Sequence, residues 1–190
     1  MKTKRIPAFI VTVMLLMLSL TACEKSNLPE QAQAICGSWA YIHDQATEMA
    51  VFKKDGTAKY EGKDCTFTCD SQFVTLTDTD GATQKLRYTV DDEGIYLYTN
   101  TTYTFSGEGE PNGLIGEWIC AEKKWSFAFT ETNTFMEDGY FTGYYAIDTE
   151  NSTFKLTYDD QFEDTVCYYQ LEGNTLTIDY PWRMVKTTTK

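Results

Sequence analysis

The chain has 190 residues and carries 28 acidic against 16 basic side chains, which gives a formal net charge of −12 at pH 7. This excess of negative charge repels the phosphates of nucleic acids and anionic lipid headgroups, so the composition argues against both as partners. Aromatic residues make up 15% of the chain. The length suits one ordinary domain or two small ones.

The first 22 residues have the pattern of a signal peptide. Three basic residues within the first five precede an uncharged run that starts at Ile6, and small residues come just before Cys23. A membrane-spanning helix needs about 20 apolar residues, and this run is slightly short, with Pro7 near its start. We therefore predict a cleaved signal peptide over residues 1–22.

The tetrapeptide LTAC at residues 20–23 resembles the lipobox of bacterial lipoproteins. In that family a diacylglyceryl group is attached to the cysteine thiol and the chain is cut just before it. The resemblance implies that Cys23 is the lipid attachment site and that the chain is anchored on the extracytoplasmic face of a bacterial cell membrane or envelope. Two acyl chains give stable anchoring. Loss of three basic residues with the signal takes the net charge from −12 to −15.

Residues 23–34 are predicted to be the lipidated cysteine and a flexible tether. The stretch from Glu24 to Gln33 is polar and has no periodic apolar face. Such a segment holds the folded part on the order of 20 Å from the lipid.

Beyond the tether the sequence contains an internal repeat. The residues GSW at 37–39 return as GEW at 116–118, and the offset between matching positions stays between 77 and 81 residues. Gly56 and Asn133 share a turn position that favours a left-handed backbone. A Gly-, Pro- and Glu-rich linker at 107–113 separates the copies.

Within each copy apolar and polar residues alternate with a period of two. The stretch WSFAF at 125–129 places three aromatic side chains on one face, as a half-buried strand requires. Turn signals recur every 8 to 12 residues or so, the spacing of an antiparallel meander. We predict an all-β mature chain with seven or eight short strands per copy.

The order of Gly-x-Trp, a Phe before a Gly or Asn turn, a Leu-Thr strand and a Tyr-x-aliphatic strand resembles the lipocalin-like domains of bacterial lipoproteins. The resemblance implies two tandem small up-and-down antiparallel barrels, at residues 35–106 and 114–187. The sequence leaves open whether the copies build two barrels or one shared barrel. Inward side chains such as Trp118 and Phe129 fill so small a barrel, so we predict no cavity large enough for a fatty acid.

Five cysteines remain after Cys23, and an odd number in an exported chain leaves at least one thiol unpaired or intermolecular. On one strand, Cys65 and Cys69 would have Cα atoms about 13 Å apart, beyond the roughly 7 Å that a disulfide spans. The pairing stays open for Cys36, Cys65, Cys69, Cys120 and Cys167.

Catalytic and metal-binding patterns are weak. His43 stands beside Asp44, but no Gly-x-Ser-x-Gly or comparable elbow supplies a nucleophile, so we predict a turn histidine. The chain has a single histidine, which disfavours a metal site. We predict no catalytic residues, no metal and no cofactor.

Two aromatic stretches, GYFTGYY at 139–145 and YPW at 180–182, are the candidate ligand surface. Outward Tyr and Trp beside acids and hydroxyls suit stacking on sugar rings. The alternative is cross-strand aromatic pairs that stabilise the sheet. The candidate residues are Tyr140, Tyr144, Tyr145, Tyr180 and Trp182.

These patterns predict a membrane-anchored lipoprotein that acts as a non-enzymatic binding or interaction module. Besides the membrane, the expected partner is a small apolar molecule, a glycan or an envelope protein. The alternative is a protein inhibitor or envelope assembly factor that presents barrel loops to a partner enzyme.

Overall fold

The computed structural model describes residues 28–160 and 162–187. The predicted signal peptide, Cys23 and the first residues of the predicted tether lie outside these ranges. Within them the chain is all-β, as predicted, with one short helix before the first strand. No helix of the described ranges is long and apolar enough to cross a membrane.

Each repeat contributes seven strands to the described structure. The first repeat contains α1 (Glu30–Ala34), β1 (Gly37–Tyr41), β2 (Asp44–Phe52), β3 (Thr57–Tyr60), β4 (Lys63–Cys69), β5 (Phe73–Asp78), β6 (Thr83–Val90) and β7 (Ile95–Phe105). The second repeat contains β8 (Gly116–Cys120), β9 (Trp125–Phe129), β10 (Thr134–Glu137), β11 (Phe141–Asp148), β12 (Thr153–Tyr158), β13 (Thr165–Glu172) and β14 (Thr175–Lys186).

The fourteen strands form one antiparallel sheet that runs in chain order and closes because β1 pairs with β14. Successive strands are neighbours throughout, which is the up-and-down meander that the turn spacing predicted. The architecture is therefore a single ring-like sheet. The resemblance implied two tandem barrels, and the sequence had left one shared barrel open.

Two long strands account for this difference. β7 has 11 residues and β14 has 12, and besides their ring neighbours they pair with each other from Thr175–Thr104 to Met184–Ile95. The C-terminal end of β14 pairs with β1 of the first repeat, while its N-terminal half pairs with β13. We call the paired β7 and β14 the seam, since these strands join the two repeats.

The buried apolar side chains form two clusters, one in each repeat. The first cluster includes Met184 from β14, and the second includes Tyr103 from β7. Each repeat thus completes its core with a residue from the last strand of the other. The inward positions predicted for the second repeat are buried at Trp118, Phe127, Phe129, Leu156 and Ile178, and half-buried at Trp125.

The predicted turn equivalence is confirmed by the backbone. Gly56 has φ +85° and Asn133 has φ +58°, so both are left-handed. The carbonyl of Gly56 accepts the amide of Phe67 at 2.9 Å, and that of Asn133 accepts the amide of Tyr145 at 2.9 Å. The two repeats therefore make this turn with the same hydrogen bond.

The tether predicted over residues 23–34 is corrected at its C-terminal end. Residues Glu30–Ala34 form α1, and Ala32 and Ile35 are fully buried in the first cluster, with Leu28 packed against it. Of these three apolar residues only Ala32 lies within α1; Leu28 precedes the helix and Ile35 is its C-cap. A five-residue helix is too short to show a convincing helical period in the sequence.

Candidate functional site

The structure separates the five aromatic residues that the sequence grouped as a ligand surface. Tyr140 and Tyr144 lie on the outside, with 84% and 60% of their surface exposed. Tyr145 is buried, and its hydroxyl donates to the carbonyl of Thr130 at 2.9 Å. The assignment of Tyr145 to a ligand surface was wrong, because successive residues of β11 point to opposite sides of the sheet.

Tyr180 and Trp182 are half-buried on β14, in the seam. Their ring centroids are 5.8 Å apart, and Trp182 packs edge-on against Tyr41 at 5.3 Å. Tyr41 also contacts His43, which lies in the turn between β1 and β2 as predicted. These rings fit the structural alternative from the sequence, in which aromatic pairs stabilise the sheet.

Tyr144 belongs to an exposed apolar surface on β10, β11 and the turn between them. We call this surface the aromatic face and define it as Met136, Tyr140 and Tyr144. Met136 is 42% exposed, and the strand register places it on the same side of the sheet as Tyr144. Phe141 is 39% exposed but lies on the opposite side of β11, the side of Gly143 and Tyr145, so it is not part of the aromatic face. The ring of Phe141 also contacts Phe162, an exposed residue of the β12–β13 loop, at 5.5 Å.

The first repeat is polar at the positions equivalent to the aromatic face. In the second repeat Thr134 of β10 pairs with Tyr144, and in the first repeat Thr57 of β3 pairs with Thr66. By the same register, Met136 of the aromatic face is equivalent to Lys59 in the first repeat, and Tyr144 is equivalent to Thr66. The β10–β11 turn is one residue longer than the β3–β4 turn, so Tyr140 has no counterpart.

A shallow groove of about 350 Å³ runs beside Tyr144 and Met136. Its polar groups bond to one another, because Thr142 Oγ1 donates to Asp159 Oδ2 at 2.8 Å and the Thr130 and Thr134 hydroxyls are 2.6 Å apart. The groove therefore has an apolar centre and a polar edge whose groups are already paired. Its remaining lining residues are Ala128, Phe135 and Gly143.

A half-buried acid, Glu137, lies on the inner side of the second repeat. The Tyr158 hydroxyl donates to Glu137 Oε2 at 2.6 Å and lies 3.0 Å from the Tyr180 hydroxyl. Burial raises the pKa of Glu137, and the hydrogen bond from Tyr158 opposes that rise. Burial and the nearby carboxylate also raise the pKa of Tyr180. The first repeat has Tyr60 at the position of Glu137, so the fold itself does not require this carboxyl group.

The five cysteines of the described ranges are free thiols. Cys65 and Cys69 both lie on β4. As predicted for two cysteines four positions apart on one strand, their Cα atoms are too far apart for a disulfide bond. Cys167 is buried, and burial raises the pKa of its thiol. Within residues 28–160 and 162–187, no group of three His, Cys, Asp or Glu side chains could hold a metal ion.

A polar groove between the two repeats went unnoticed in the sequence. Arg87 of β6 and Asp179 of β14 meet there across 92 residues of sequence, with Arg87 Nε 3.4 Å from Asp179 Oδ2. We call it the inter-repeat groove; its volume is about 510 Å³, and it is lined by Gln72, Arg87, Asn100, Asn151, Ser152, Thr153, Tyr168, Tyr169, Gln170, Thr177 and Asp179. No local spacing relates these residues, since the seam brings them together.

Comparisons of this chain with protein-family models, with curated protein sequences and with solved structures find no match.

Proposed function

We propose that this chain is a lipid-anchored extracytoplasmic lipoprotein that acts as a non-enzymatic binding module, and that its aromatic face binds a protein partner. The observation that carries the proposal is the contrast between the repeats. The fold accepts Lys59 and Thr66 at these positions in the first repeat, whereas the second repeat exposes Met136 and Tyr144. Because folding does not need these apolar side chains, their exposure suits binding.

The composition of the aromatic face favours a protein partner over a sugar. Aromatic residues and methionine are enriched at the centres of protein interfaces. Large exposed apolar side chains are also more numerous in the second repeat. Among the described residues, Val90 is the only one in the first repeat. Those in the second repeat are Ile119, Met136, Tyr140, Phe141, Tyr144, Ile147, Phe162 and Val166.

The proposal also interprets each repeat as a lipocalin-like barrel, with β7 and β14 shared between the two. Two observations support this interpretation: each repeat encloses its own apolar cluster, and the β7–β14 pairing divides the ring into two circuits of eight strands. The membrane anchor rests on the LTAC motif that ends at Cys23. The predicted tether would leave the aromatic face free to meet a partner near the membrane.

The test is capture of the partner from intact envelopes by the full-length protein, expressed with its own signal and a C-terminal tag and crosslinked before extraction. The double variant Met136→Lys, Tyr144→Thr carries the residues of the first repeat, so it is designed to keep the fold. We expect the variant to lose the proteins that the wild type captures. Val90→Thr removes an exposed apolar residue of the first repeat and should capture them normally.

Equal capture by the wild type and the double variant would reject the aromatic face as the binding surface. If the captured partner is an enzyme, its activity with and without the purified lipoprotein separates two functions. Inhibition supports the inhibitor alternative, and unchanged activity supports assembly or simple binding.

A further inference from the structure

We infer that the inter-repeat groove is a second binding site, separate from the aromatic face, and that it takes a neutral carbohydrate of a few sugar units. The groove spans both repeats. Gln72 and Arg87 come from the first repeat, and Tyr168, Gln170 and Asp179 from the second. Its volume of about 510 Å³ lies within the range of about 300 to 1,000 Å³ that is usual for small-molecule sites.

The floor of the groove is held rigidly. The guanidinium of Arg87 lies 3.9 Å from the ring centroid of Tyr168 and 4.7 Å from that of Phe73. Its partner Asp179 also accepts a hydrogen bond from Asn100 Nδ2 at 2.7 Å. A ligand that binds here meets groups already fixed in place, which lowers the entropy cost of binding.

The groove carries no net charge in a strongly acidic protein. Its only charged lining residues are Arg87 and Asp179, which neutralise each other. An anionic ligand would have to compete with Asp179 for the guanidinium, and a cationic ligand with Arg87 for the carboxylate. A neutral ligand is favoured because it leaves the pair intact.

The rim offers donors and acceptors in a mixture that suits hydroxyl groups. Carboxamides provide both N–H donors and a carbonyl acceptor, and hydroxyls donate and accept at one atom. Three rim carboxamides already donate one N–H to a carboxylate: Asn100 to Asp179, Asn151 to Asp148 and Gln170 to Glu172. Each of them keeps a carbonyl oxygen and a second N–H. Sugar hydroxyls can donate to the former and accept from the latter. The exposed members of the rim are Gln72, Asn100, Asn151, Ser152 and Gln170.

The experiment uses the mature lipidated protein in a detergent without a sugar headgroup. Maltotriose, cellotriose, mannotriose and chitotriose are titrated in turn by isothermal calorimetry, with inorganic phosphate and spermidine as charged probes. We expect one trisaccharide to bind with a Kd below about 1 mM, a free energy near −4 kcal/mol. Binding of phosphate or spermidine with no trisaccharide binding would overturn the inference, as would the absence of any binding.

Rim variants locate the site. The double variant Asn151→Ala, Gln170→Ala removes two exposed carboxamides, and we expect it to weaken trisaccharide binding at least tenfold. Gln84→Ala removes an exposed carboxamide of β6 outside the groove and should leave binding unchanged. Equal affinity in the double variant and the wild type would contradict the location. None of these substitutions lies on the aromatic face, so we expect each variant to capture the protein partner as the wild type does.

Discussion

Trp39 and Trp118 occupy the same place in the two repeats. The Nε1–H of Trp39 donates to the carbonyl of Ile35 at 2.8 Å, and the Nε1–H of Trp118 donates to the carbonyl of Leu114 at 2.7 Å. In each case the partner is four residues earlier and the indole is almost fully buried. The Gly-x-Trp motif thus fixes the segment that enters each repeat as well as filling its core.

Trp118→Ala should lower the free energy of unfolding by about 3–5 kcal/mol, because it removes a large buried side chain and leaves a cavity. We expect one cooperative transition for both repeats, since unfolding the second repeat would withdraw β14 from the first. Urea denaturation followed by circular dichroism measures the loss. Hydrogen exchange of peptides from β4 and β11 tests whether the repeats unfold together.

The control for this substitution is Ile119→Ala, on the exposed side of the same strand, which should change stability little. Protection retained in β4 after it is lost in β11 would contradict a shared transition and indicate that the repeats fold independently.

Gly143 of β11 allows close approach of β12. A Cβ at this position would collide with the carbonyl oxygen of Thr157 and crowd the Cα of Tyr158 at 2.8 Å. Both contacts are with backbone, so a side-chain rotation cannot relieve them. Gly143→Ala should therefore cost about 3 kcal/mol, the upper end of the usual range for overpacking.

Gly139→Ala is the matched control for Gly143→Ala in thermal or urea unfolding. Gly139 has φ +74° and open space around its Cβ position, so alanine there costs about 1 kcal/mol of backbone strain alone. Equal costs at the two positions would show that β12 can move away from β11.

The local parts of the fold could be predicted from the sequence. The period of two in WSFAF correctly predicted that the rings of Phe127 and Phe129 are buried. The turn position shared by the repeats correctly predicted the left-handed backbone of Gly56 and Asn133. Such features depend on a few neighbouring residues. The long pairing of β7 with β14 could not be predicted, because it joins segments about 80 residues apart in sequence and no turn sets its register.

The candidate site was predictable only in part for the same reason. Tyr144 is exposed, as a ligand surface requires, but Tyr145 beside it is buried. The sequence alone did not fix which face of β11 is buried. Arg87 and Asp179 are brought together by the seam, which the sequence did not predict. Met136 stands out as a candidate binding residue only when it is compared with Lys59, the residue at the equivalent position of the first repeat. The repeat in the sequence was the signal that could have revealed that contrast.

Glu137→Gln should stabilise the protein at neutral pH and have little effect near pH 4. Burial raises the folded-state pKa of Glu137 above its unfolded value. The folded state therefore binds the proton more tightly, and stability from this group is present at low pH and lost as pH rises through the raised pKa. Glutamine keeps an acceptor for the Tyr158 hydroxyl and carries no charge to bury.

Thermal unfolding of wild type and Glu137→Gln between pH 4 and 8 measures this difference, which should grow with pH and then level off. Glu131→Gln, at an exposed position in the β9–β10 turn, controls for the loss of one negative charge. If the stability advantage of Glu137→Gln over the wild type shrinks as pH rises, the folded state lowers the pKa of Glu137 and stabilises its carboxylate, which would contradict this prediction.

Cys23→Ala should abolish membrane association, because the lipid on this thiol is the proposed anchor. The measurement is fractionation of cells followed by an alkaline wash of the membranes, which strips peripheral proteins. Cys36→Ala is the control, since this half-buried thiol belongs to the folded part and should not affect anchoring. Retention of Cys23→Ala in washed membranes would reject the lipoprotein interpretation.

The protein should not bind long-chain fatty acids inside either repeat. The cores are filled by large side chains, with Trp39 and Phe52 fully buried in the first cluster and Trp118, Phe129 and Phe154 in the second. The grooves beside Tyr144 and between the repeats lie on the outside of the sheet, so a fatty acid would have to displace core rings to enter. Titration of the full protein with palmitate and with a hydrophobic fluorophore should show no saturable one-to-one binding tighter than about 1 μM, equivalent to about −8 kcal/mol. Tighter binding that Leu156→Trp abolishes, while Ile119→Trp on the outer surface leaves it unchanged, would demonstrate an internal cavity and refute this prediction.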